Sequence, residues 1–192
     1  IILEDLGTAY GQAVAGNEIR LQAKTNTYND YVDAVFEYRN SHTLDKEVNY
    51  WRSVRQKMDQ LPASDGKKHD RKIAKVELAL DKATTENLLH KVSTKFNTEI
   101  NDLLMTALGR SYHKLTGKDS VSVQFEGHGR EDIGGNLMTD RTVGWFTSVY
   151  PVVLEGISGD MRKDIRTTKE IMHRVPNKGV GYNILRFIEG ER

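Results

Sequence analysis

The sequence VSVQFEGHGRE occupies residues 121–131, and the interpretation of the whole chain starts from it. Apolar and polar residues alternate from Val121 to Phe125, which is the period-two pattern of a half-buried strand. Glu126 follows at the exit of that strand. The glycines on either side of His128 have no Cβ, so the backbone can turn sharply and a ligand can approach closely. The stretch predicts a strand that brings a carboxylate, an imidazole and a guanidinium together, although a solvated hairpin has the same composition.

The bulk composition argues against several classes of function. The 28 basic and 27 acidic residues leave a net charge of +1, so no broad electrostatic field favours nucleic acid or an anionic membrane. No stretch approaches the roughly 20 apolar residues of a membrane span, and the first residues lack the pattern of a signal peptide. A cytoplasmic protein is predicted. Because the chain has no cysteine, any thioester chemistry needs a thiol from another molecule.

Periodicity along the chain predicts helices followed by the order β-α-α-β-β-α-β. Helices are expected near residues 2–14, 28–36, 44–58, 88–96, 99–115 and 158–172. Strands are expected near residues 74–80, 121–125, 143–154 and 182–188. Thr27, Thr43 and Thr98 are the predicted caps of three helices. An exposed loop is predicted over residues 61–71, with a basic run at 67–72. This order is typical of an α/β layer with helices on a sheet.

Three ordered motifs carry a family resemblance. The first motif is residues 126–131 (EGHGRE), the second is residues 141–151 (RTVGWFTSVYP) and the third is residues 176–183 (PNKGVGYN). They resemble the signature motifs of epimerization domains in nonribosomal peptide synthetases, which invert the α-carbon of an amino acid or peptide held as a thioester on a carrier protein. Residues 98–108 (TEINDLLMTAL) are also similar to the family. The third motif departs from the family pattern at its end, where Asn183 replaces a glycine.

The resemblance implies a fold like that of chloramphenicol acetyltransferase, with two α/β lobes and an active site in the tunnel between them. Each lobe is a mixed sheet covered by helices. Residues 1–20 would end the N-terminal lobe, and residues 21–192 would form most of the C-terminal lobe. The family's His-His-x-x-x-Asp-Gly motif belongs directly before the first helix, and nothing in the sequence matches it. Since the chain also starts without Met, we expect part of a domain, incomplete at both ends, that does not epimerize alone.

The resemblance makes Glu126 one of two proton-transferring groups, and the second histidine of the unmatched motif the other. His128 lies two residues away and is the alternative second base, with a structural role as the competing interpretation. His128, Arg141 and Tyr150 are the predicted substrate-binding residues. Arg141 would lie at the site margin, where a fixed cation influences Glu126 or an enolate-like charge. A structural ion pair is the alternative role for Arg141.

Supporting residues and partners follow from the same resemblance. Arg130 is expected to pair with Glu131 or another carboxylate and to brace its loop. Gly179 and Gly181 either let the backbone approach a pantetheine arm or are simple turn residues. No cofactor or metal is expected to bind directly, because the 4'-phosphopantetheine is carried by a peptidyl carrier protein (thiolation) domain. Adenylation and downstream condensation domains and the remainder of the same domain are the other expected partners.

Two alternatives stay open. A condensation domain of the same superfamily shares the fold and the histidine motif and makes a peptide bond, but the first motif argues against it. A non-catalytic module that only docks the carrier protein is the alternative from a different class of function.

Overall fold

The computed structural model describes residues 1–59 and 75–190. The predicted loop at 61–71 and its basic run at 67–72 lie outside the described residues. The described α-helices are α1 (Ile2–Val14), α2 (Tyr28–Arg39), α3 (His42–Asp59), α4 (Lys82–Glu86), α5 (Ser93–Phe96), α6 (Ile100–Thr116), α7 (Met161–His173) and α8 (Val180–Asn183). A π-helical segment, Asn87–Val92, joins α4 to α5, and a second one, Ile184–Ile188, follows α8. The strands β1 (Val121–Gly127) and β2 (Ser148–Leu154) pair in a two-stranded antiparallel sheet.

The chain divides into two compact units. Unit 1 comprises Ile1–Asn49, Glu126–Tyr150 and Pro176–Arg192, and unit 2 comprises Tyr50–Phe125 and Pro151–Val175. The division passes through α3, β1 and β2. All of the first and third motifs, and all of the second motif except its final proline, fall in unit 1.

Unit 1 is built on an aromatic core. Thr27 begins α2 with a reciprocal capping box, in which the amide of Asp30 donates to the Thr27 hydroxyl and the amide of Thr27 donates to the Asp30 carboxylate. The buried face of α2 includes Tyr31, which meets Phe146 edge to face with ring centroids 4.7 Å apart. Phe36, the last residue of the predicted range 28–36, is half exposed. The cap at Thr27 is confirmed. Within unit 1, α2 packs against Phe146 of the second motif.

Unit 2 is built on the packing of α6 against α7. Glu99 rather than the predicted Thr98 begins α6, in a capping box with Asp102, and Gly117 ends it in the left-handed conformation. The buried residues of α6 are mostly small or polar: Asp102, Leu103, Thr106 and Gly109. Three leucines of the same helix, Leu104, Leu108 and Leu115, are exposed. A Cβ on Gly109 would lie 3.1 Å from Ile157, so the absent side chain permits close packing.

Two predicted strands are wrong and, besides Thr98, so is a second predicted cap, Thr43. Residues 75–80 have no secondary structure, and Val76 and Leu78 are 94% and 88% exposed. Residues 182–188 are helical, because a short apolar run satisfies either period. The start of α3 is stabilised by the Ser41 hydroxyl, which accepts the Leu44 amide at 3.2 Å, and not by Thr43.

Candidate functional site

Glu126 is the penultimate residue of β1, and its side chain is exposed. No ion pair within 4.0 Å and no hydrogen bond of this carboxylate is present in the described parts of the chain, residues 1–59 and 75–190. The predicted strand over residues 121–125 is confirmed and continues through Glu126. The sequence therefore presents the predicted carboxylate at a strand end with its oxygens available for a ligand.

Gly127 is the point at which the three motifs come together. A Cβ at Gly127 would lie 2.6 Å from the Ser148 hydroxyl of the second motif and 3.0 Å from the Lys178 carbonyl of the third. The Ser148 hydroxyl donates a hydrogen bond of 2.6 Å to that same carbonyl. Because any side chain larger than hydrogen would push these groups apart, a glycine is needed directly after Glu126.

Gly129 supports the other side of the first motif. Its φ is +70°, in the region that glycine adopts without steric cost. A Cβ on Gly129 would overlap the backbone carbonyl of Phe146. The Tyr31 hydroxyl donates to the Gly129 carbonyl at 3.1 Å. The turn after Glu126 is thus fixed by backbone contacts with the second motif and by a buried tyrosine.

Arg130 braces the loop, but not through a carboxylate as the sequence predicts. Its guanidinium lies over the Phe146 ring, 3.9 Å from the centroid, and donates to the backbone carbonyls of Thr139 and, at 2.9 Å, Thr142. A planar guanidinium suits both the ring face and several fixed acceptors at once. Arg130 therefore connects the first motif to residues 139–142.

His128 is exposed at the tip of the turn. Its Nδ1 accepts the backbone amide of Arg130 at 3.0 Å, and its Nε2 lies 3.2 Å from a carboxylate oxygen of Glu131. In a neutral imidazole with Nδ1 as acceptor, Nε2 carries the proton. Both ring nitrogens thus face groups of the same turn, as the structural interpretation of His128 predicts. Substrate binding by His128 stays a prediction.

Arg141 is held in ion pairs at the start of α1. Its guanidinium contacts the carboxylates of Asp5 and, at 3.3 Å, Glu4, and its backbone amide donates to the Thr25 hydroxyl at 3.1 Å. The hydrogen bond with Asp5 raises the pKa of Arg141 above its usual value. This geometry favours the structural alternative, and the influence of Arg141 on Glu126 stays a prediction.

Tyr150 is only 2% exposed. A Cβ on Gly179 would overlap its ring, and a Cβ on Gly181 would overlap the carboxylate of Glu47. The two glycines of the third motif therefore make room for buried side chains of unit 1, and an approach of their backbone to a pantetheine arm stays a prediction. Burial makes Tyr150 a core residue of unit 1. Its contact with substrate stays a prediction.

A buried polar cluster that the sequence did not reveal holds the third motif. The Tyr38 hydroxyl donates to Glu47 at 2.5 Å, and the Asn177 amide donates to both the Tyr38 hydroxyl and the Glu47 carboxylate, at 2.5 and 2.9 Å. Burial and the adjacent Glu47 raise the pKa of Tyr38. The available signal was the position of Glu47, which follows Leu44 by three residues and precedes Trp51 by four on the buried face of α3.

Asn183, the departure from the family pattern, bonds to β2. With its amide oriented so that nitrogen faces carbonyl, the side chain donates to the Val149 carbonyl at 2.7 Å and accepts the Val149 amide at 3.2 Å. A glycine could make neither bond. The substitution therefore ties the end of the third motif to the strand that carries Tyr150.

Among the residues that the structure describes, no group of three or more histidine, aspartate or glutamate side chains is arranged to hold a metal ion. None of the helices in this described part is long and apolar enough to cross a bilayer.

The helices and the small sheet define an α/β domain, and Glu126, which has no ion pair among the described residues, lies at the strand end where the three motifs meet. The chain belongs to the condensation-domain family, whose model matches residues 1–190. The fold is that of condensation domains, which resembles chloramphenicol acetyltransferase, and the predicted α/β class is confirmed.

Several curated relatives are peptide antibiotic synthetases. The chain is 40% identical to surfactin synthase subunit 1 of Bacillus subtilis (strain 168) and to bacitracin synthase 2 of Bacillus licheniformis, each over 98% of the chain. It is 39% identical over its full length to gramicidin S synthase 1 of Brevibacillus brevis. It spans 5%, 7% and 18% of these proteins, respectively.

Two solved structures are similar to the chain. The epimerization domain from the third module of tyrocidine synthetase B has a TM-score of 0.82 at 38% identity and is matched over 97% of this chain and 42% of its own. The first condensation domain of the calcium-dependent antibiotic synthetase, in complex with a substrate analogue, has a TM-score of 0.72 at 20% identity, over 94% of this chain and 40% of its own. The second likeness concerns the fold alone.

Proposed function

We propose that the chain is part of an epimerization domain that inverts the α-carbon of a carrier-bound aminoacyl or peptidyl thioester from L to D. The observation that carries the proposal is the placement of Glu126, an exposed carboxylate with no ion pair within residues 1–59 and 75–190, at the point where the three motifs meet. The 38% identity to a solved epimerization domain supports it.

The chemistry requires a proton to leave one face of the α-carbon and a proton to return to the other face. The thioester carbonyl accepts the negative charge that develops when the first proton leaves. Glu126 is one of the two proton-transferring groups, and such acid–base catalysis typically contributes about 10² to 10⁴ in rate. The second group lies outside this chain and is, by resemblance, a histidine of the unmatched motif.

The proposal includes the layout and partners of the domain. Residues 1–20 end its N-terminal lobe and residues 21–192 form most of its C-terminal lobe. The apolar face of α1 supports a covering by the remainder of the same domain, since five of its large apolar residues are exposed: Ile2, Leu3, Leu6, Tyr10 and Val14. A peptidyl carrier domain delivers the substrate on its phosphopantetheine in the cytoplasm, between adenylation and condensation domains.

Isotope exchange tests the proposal against peptide-bond formation. The complete domain, with a carrier loaded with an L-aminoacyl thioester, is incubated in D₂O without an acceptor amine. We expect deuterium at the α-carbon and accumulation of the D-thioester, because only epimerization breaks the α-carbon to hydrogen bond. An absence of exchange, with peptide formed when acceptor is added, would support the second candidate, a condensation domain, which also fits the family match.

The Glu126→Gln variant separates catalysis from docking. We expect it to bind the loaded carrier normally and to lose exchange, because glutamine has nearly the same shape and no proton-accepting carboxylate. A variant that binds and still exchanges at the normal rate would support the passive docking module. The isolated 192 residues are expected to show no L-to-D conversion, since they lack the second proton-transferring group, and conversion by them would contradict this assignment.

A further inference from the structure

Unit 2 contains a cleft of about 770 Å³ between α6, α7 and the helical segment that precedes α6. Its described lining residues all belong to unit 2, so Glu126, in unit 1, is not among them. Cavities of roughly 300–1,000 Å³ with mostly apolar walls and a few polar groups are typical of small-molecule sites. The cleft is therefore large enough for a ligand and is distinct from the candidate functional site.

Most of the lining of this cleft is apolar. Leu88, Val92 and Phe96 line the wall formed by the π-helical segment and α5, and residues spaced four apart share one side of a helix. Leu103 of α6 and Ile165 of α7, which are 8% and 5% exposed, also line the cleft. A hydrocarbon chain placed among these side chains would leave water, which is favourable for each methylene group.

The ionisable side chains of the lining are basic. Arg110, His113 and Lys114 belong to the C-terminal half of α6, and none of the described lining residues is acidic. Arg110 is already paired with Asp164. Lys114 is exposed and, within residues 1–59 and 75–190, has no ion pair within 4.0 Å. Lys114 is therefore a cation at the cleft that is available to an anionic ligand.

The start of α7 lies at the same basic end of the cleft. Arg110 pairs with Asp164, near the start of α7. Asp102, near the start of α6, lies 3.3 Å from His173 at the end of α7. The two helices therefore pack antiparallel, and Gly159, which lines the cleft just before α7, lies near the C-terminal half of α6. The N-terminus of a helix adds to the positive potential at that end.

The two carboxylates closest to this end do not make it acidic. Asp164 is fully buried and is neutralised by Arg110 and by the amides of Ser158 and Gly159. Asp160 caps α7 by accepting the Lys163 amide at 2.8 Å, and it is not a lining residue. The charge that the cleft presents to a ligand is therefore positive.

We propose that this cleft binds a carboxylate with an unbranched hydrocarbon chain, at a site separate from the proposed function. The chain lies against Leu103, Val92 and Phe96, and the carboxylate accepts a hydrogen bond from the Lys114 ammonium. Leu103 precedes Lys114 by eleven residues, or about 16 Å along a helix, which is comparable with the length of an extended decanoate molecule. No covalent bond is formed or broken in this binding.

The chemistry of the walls favours a hydrocarbon chain over an extended peptide. A peptide in the cleft would bring amide and carbonyl groups that need hydrogen-bond partners. The Thr106 hydroxyl, in the lining, already donates to the Asp102 carbonyl at 2.7 Å. Burying backbone groups against apolar side chains without partners is costly, whereas a hydrocarbon chain has no such groups.

The test titrates the complete domain with decanoate in a calorimeter, below the concentration at which decanoate forms micelles. We expect saturable binding that weakens as salt is added, because the head group is held by charge. Octanoate, with two methylene groups fewer, should bind about 15-fold more weakly, since each buried methylene contributes about fourfold. Decyltrimethylammonium has the same chain and the opposite charge, and it should bind at least about tenfold more weakly than decanoate.

Variants of the complete domain locate the site. Ala107→Trp places a large side chain in the lining and should abolish binding. Lys114→Glu should weaken decanoate about tenfold and strengthen decyltrimethylammonium. Lys95→Glu, at an exposed lysine of unit 2 that does not line the cleft, is the matched control and should bind like the wild type. Glu126→Gln should also bind decanoate normally, so the proposed function and this site are tested separately.

Three results would overturn the inference: no saturable binding of decanoate, equal affinity for decanoate and decyltrimethylammonium, or equal affinity of Lys114→Glu and Lys95→Glu for decanoate. Methyl NMR of the wild-type domain serves if Ala107→Trp fails to fold. Decanoate should then shift the methyl signals of Val92 and Leu103. Binding that moves neither signal would place the ligand elsewhere and would equally overturn the inference.

Discussion

Glu126 in unit 1 and Asp164 in unit 2 are the same chemical group in opposite environments. Asp164 is fully buried, and it accepts hydrogen bonds from the Ser158 amide and hydroxyl, both at 2.8 Å, from the Gly159 amide at 3.2 Å and from the Arg110 guanidinium. Glu126 is exposed and unpaired within the described residues. A carboxylate with every oxygen occupied stabilises a fold, whereas an unoccupied one is available for chemistry.

The largest expected effect belongs to the unpaired carboxylate. In the complete domain, Glu126→Gln should lower the rate of α-proton exchange by about 10² to 10⁴ and leave the melting temperature nearly unchanged, because surface substitutions have small effects on stability. Exchange kinetics and thermal unfolding, measured on the same sample, check the expected rate and the expected melting temperature. A large loss of stability would show that Glu126 is a structural carboxylate like Asp164.

The turn that keeps Glu126 accessible can be broken at Gly129. Gly129→Ala should destabilise the domain by about 2–5 kcal/mol, since the methyl group overlaps the Phe146 carbonyl and the left-handed φ becomes costly. Gly134→Ala is the matched control: its φ is +100°, and a Cβ there meets nothing within 4 Å. The control should cost about 1 kcal/mol. Equal losses in chemical denaturation would contradict the contact described for Gly129.

Replacing the buried carboxylate of Asp164 should lower the free energy of unfolding of the domain. Asp164→Asn should destabilise the domain by about 2–3 kcal/mol, because it leaves Arg110 without its ion pair and disturbs the donors of Ser158 and Gly159. Any change in exchange rate should disappear once the fraction of folded protein is taken into account. Denaturant unfolding monitored by circular dichroism gives the free energy, and a normal stability would contradict the buried network.

Lowering the pH should reduce the stabilisation that Asp164 provides. Burial alone raises the pKa of Asp164, but the hydrogen bonds from Ser158 and the ion pair with Arg110 outweigh it and hold the pKa below its usual value. The stabilisation from Asp164 is therefore complete above the unfolded pKa of about 3.9 and is lost as the pH falls through the lowered folded pKa. The free-energy difference between the wild type and Asp164→Asn should shrink below about pH 4. A constant difference from neutral to acidic pH would contradict this interpretation.

The smallest effect is expected at Arg141. Arg141→Ala removes the ion pairs with Glu4 and Asp5 and should lower the melting temperature slightly, since ion pairs near the surface contribute little. The exchange rate should stay within a few-fold of the wild type. Asp5→Asn, which weakens the same pair from the other side, is the control. A large loss of rate in Arg141→Ala alone would restore the predicted role of this cation at the site margin.

Local signals in the sequence were sufficient where short-range chemistry decides the structure. The capping box at Thr27 and the strand that leads to Glu126 each depend on a few neighbouring residues. The strand predicted near residues 74–80 is wrong. Alternating apolar residues form a strand only when a second strand pairs with them, and residues 75–80 are not paired in a sheet. The cap of α6 is Glu99, one residue after the predicted Thr98, because Glu99 and Asp102 accept each other's backbone amides.

The parts of the site that the sequence did not reveal depend on distant residues and on backbone angles. Nothing in the sequence of the third motif singles out Lys178. Its position beside Gly127 follows from a left-handed turn that hydrogen bonds to Glu47 and Ser148 hold in place. No local periodicity encodes contacts between residues 47, 148 and 178. The sequence located the motifs, and the three-dimensional structure was needed to show which of their residues contact one another.

The two bonds from Asn183 to Val149 also bear on aggregation. An open strand edge offers its amide and carbonyl groups to any extended chain, including another copy of the same protein. By occupying both backbone groups of Val149, the asparagine amide imitates one residue of a neighbouring strand and removes that attachment point. A glycine at position 183 could not occupy either of these two backbone groups of Val149.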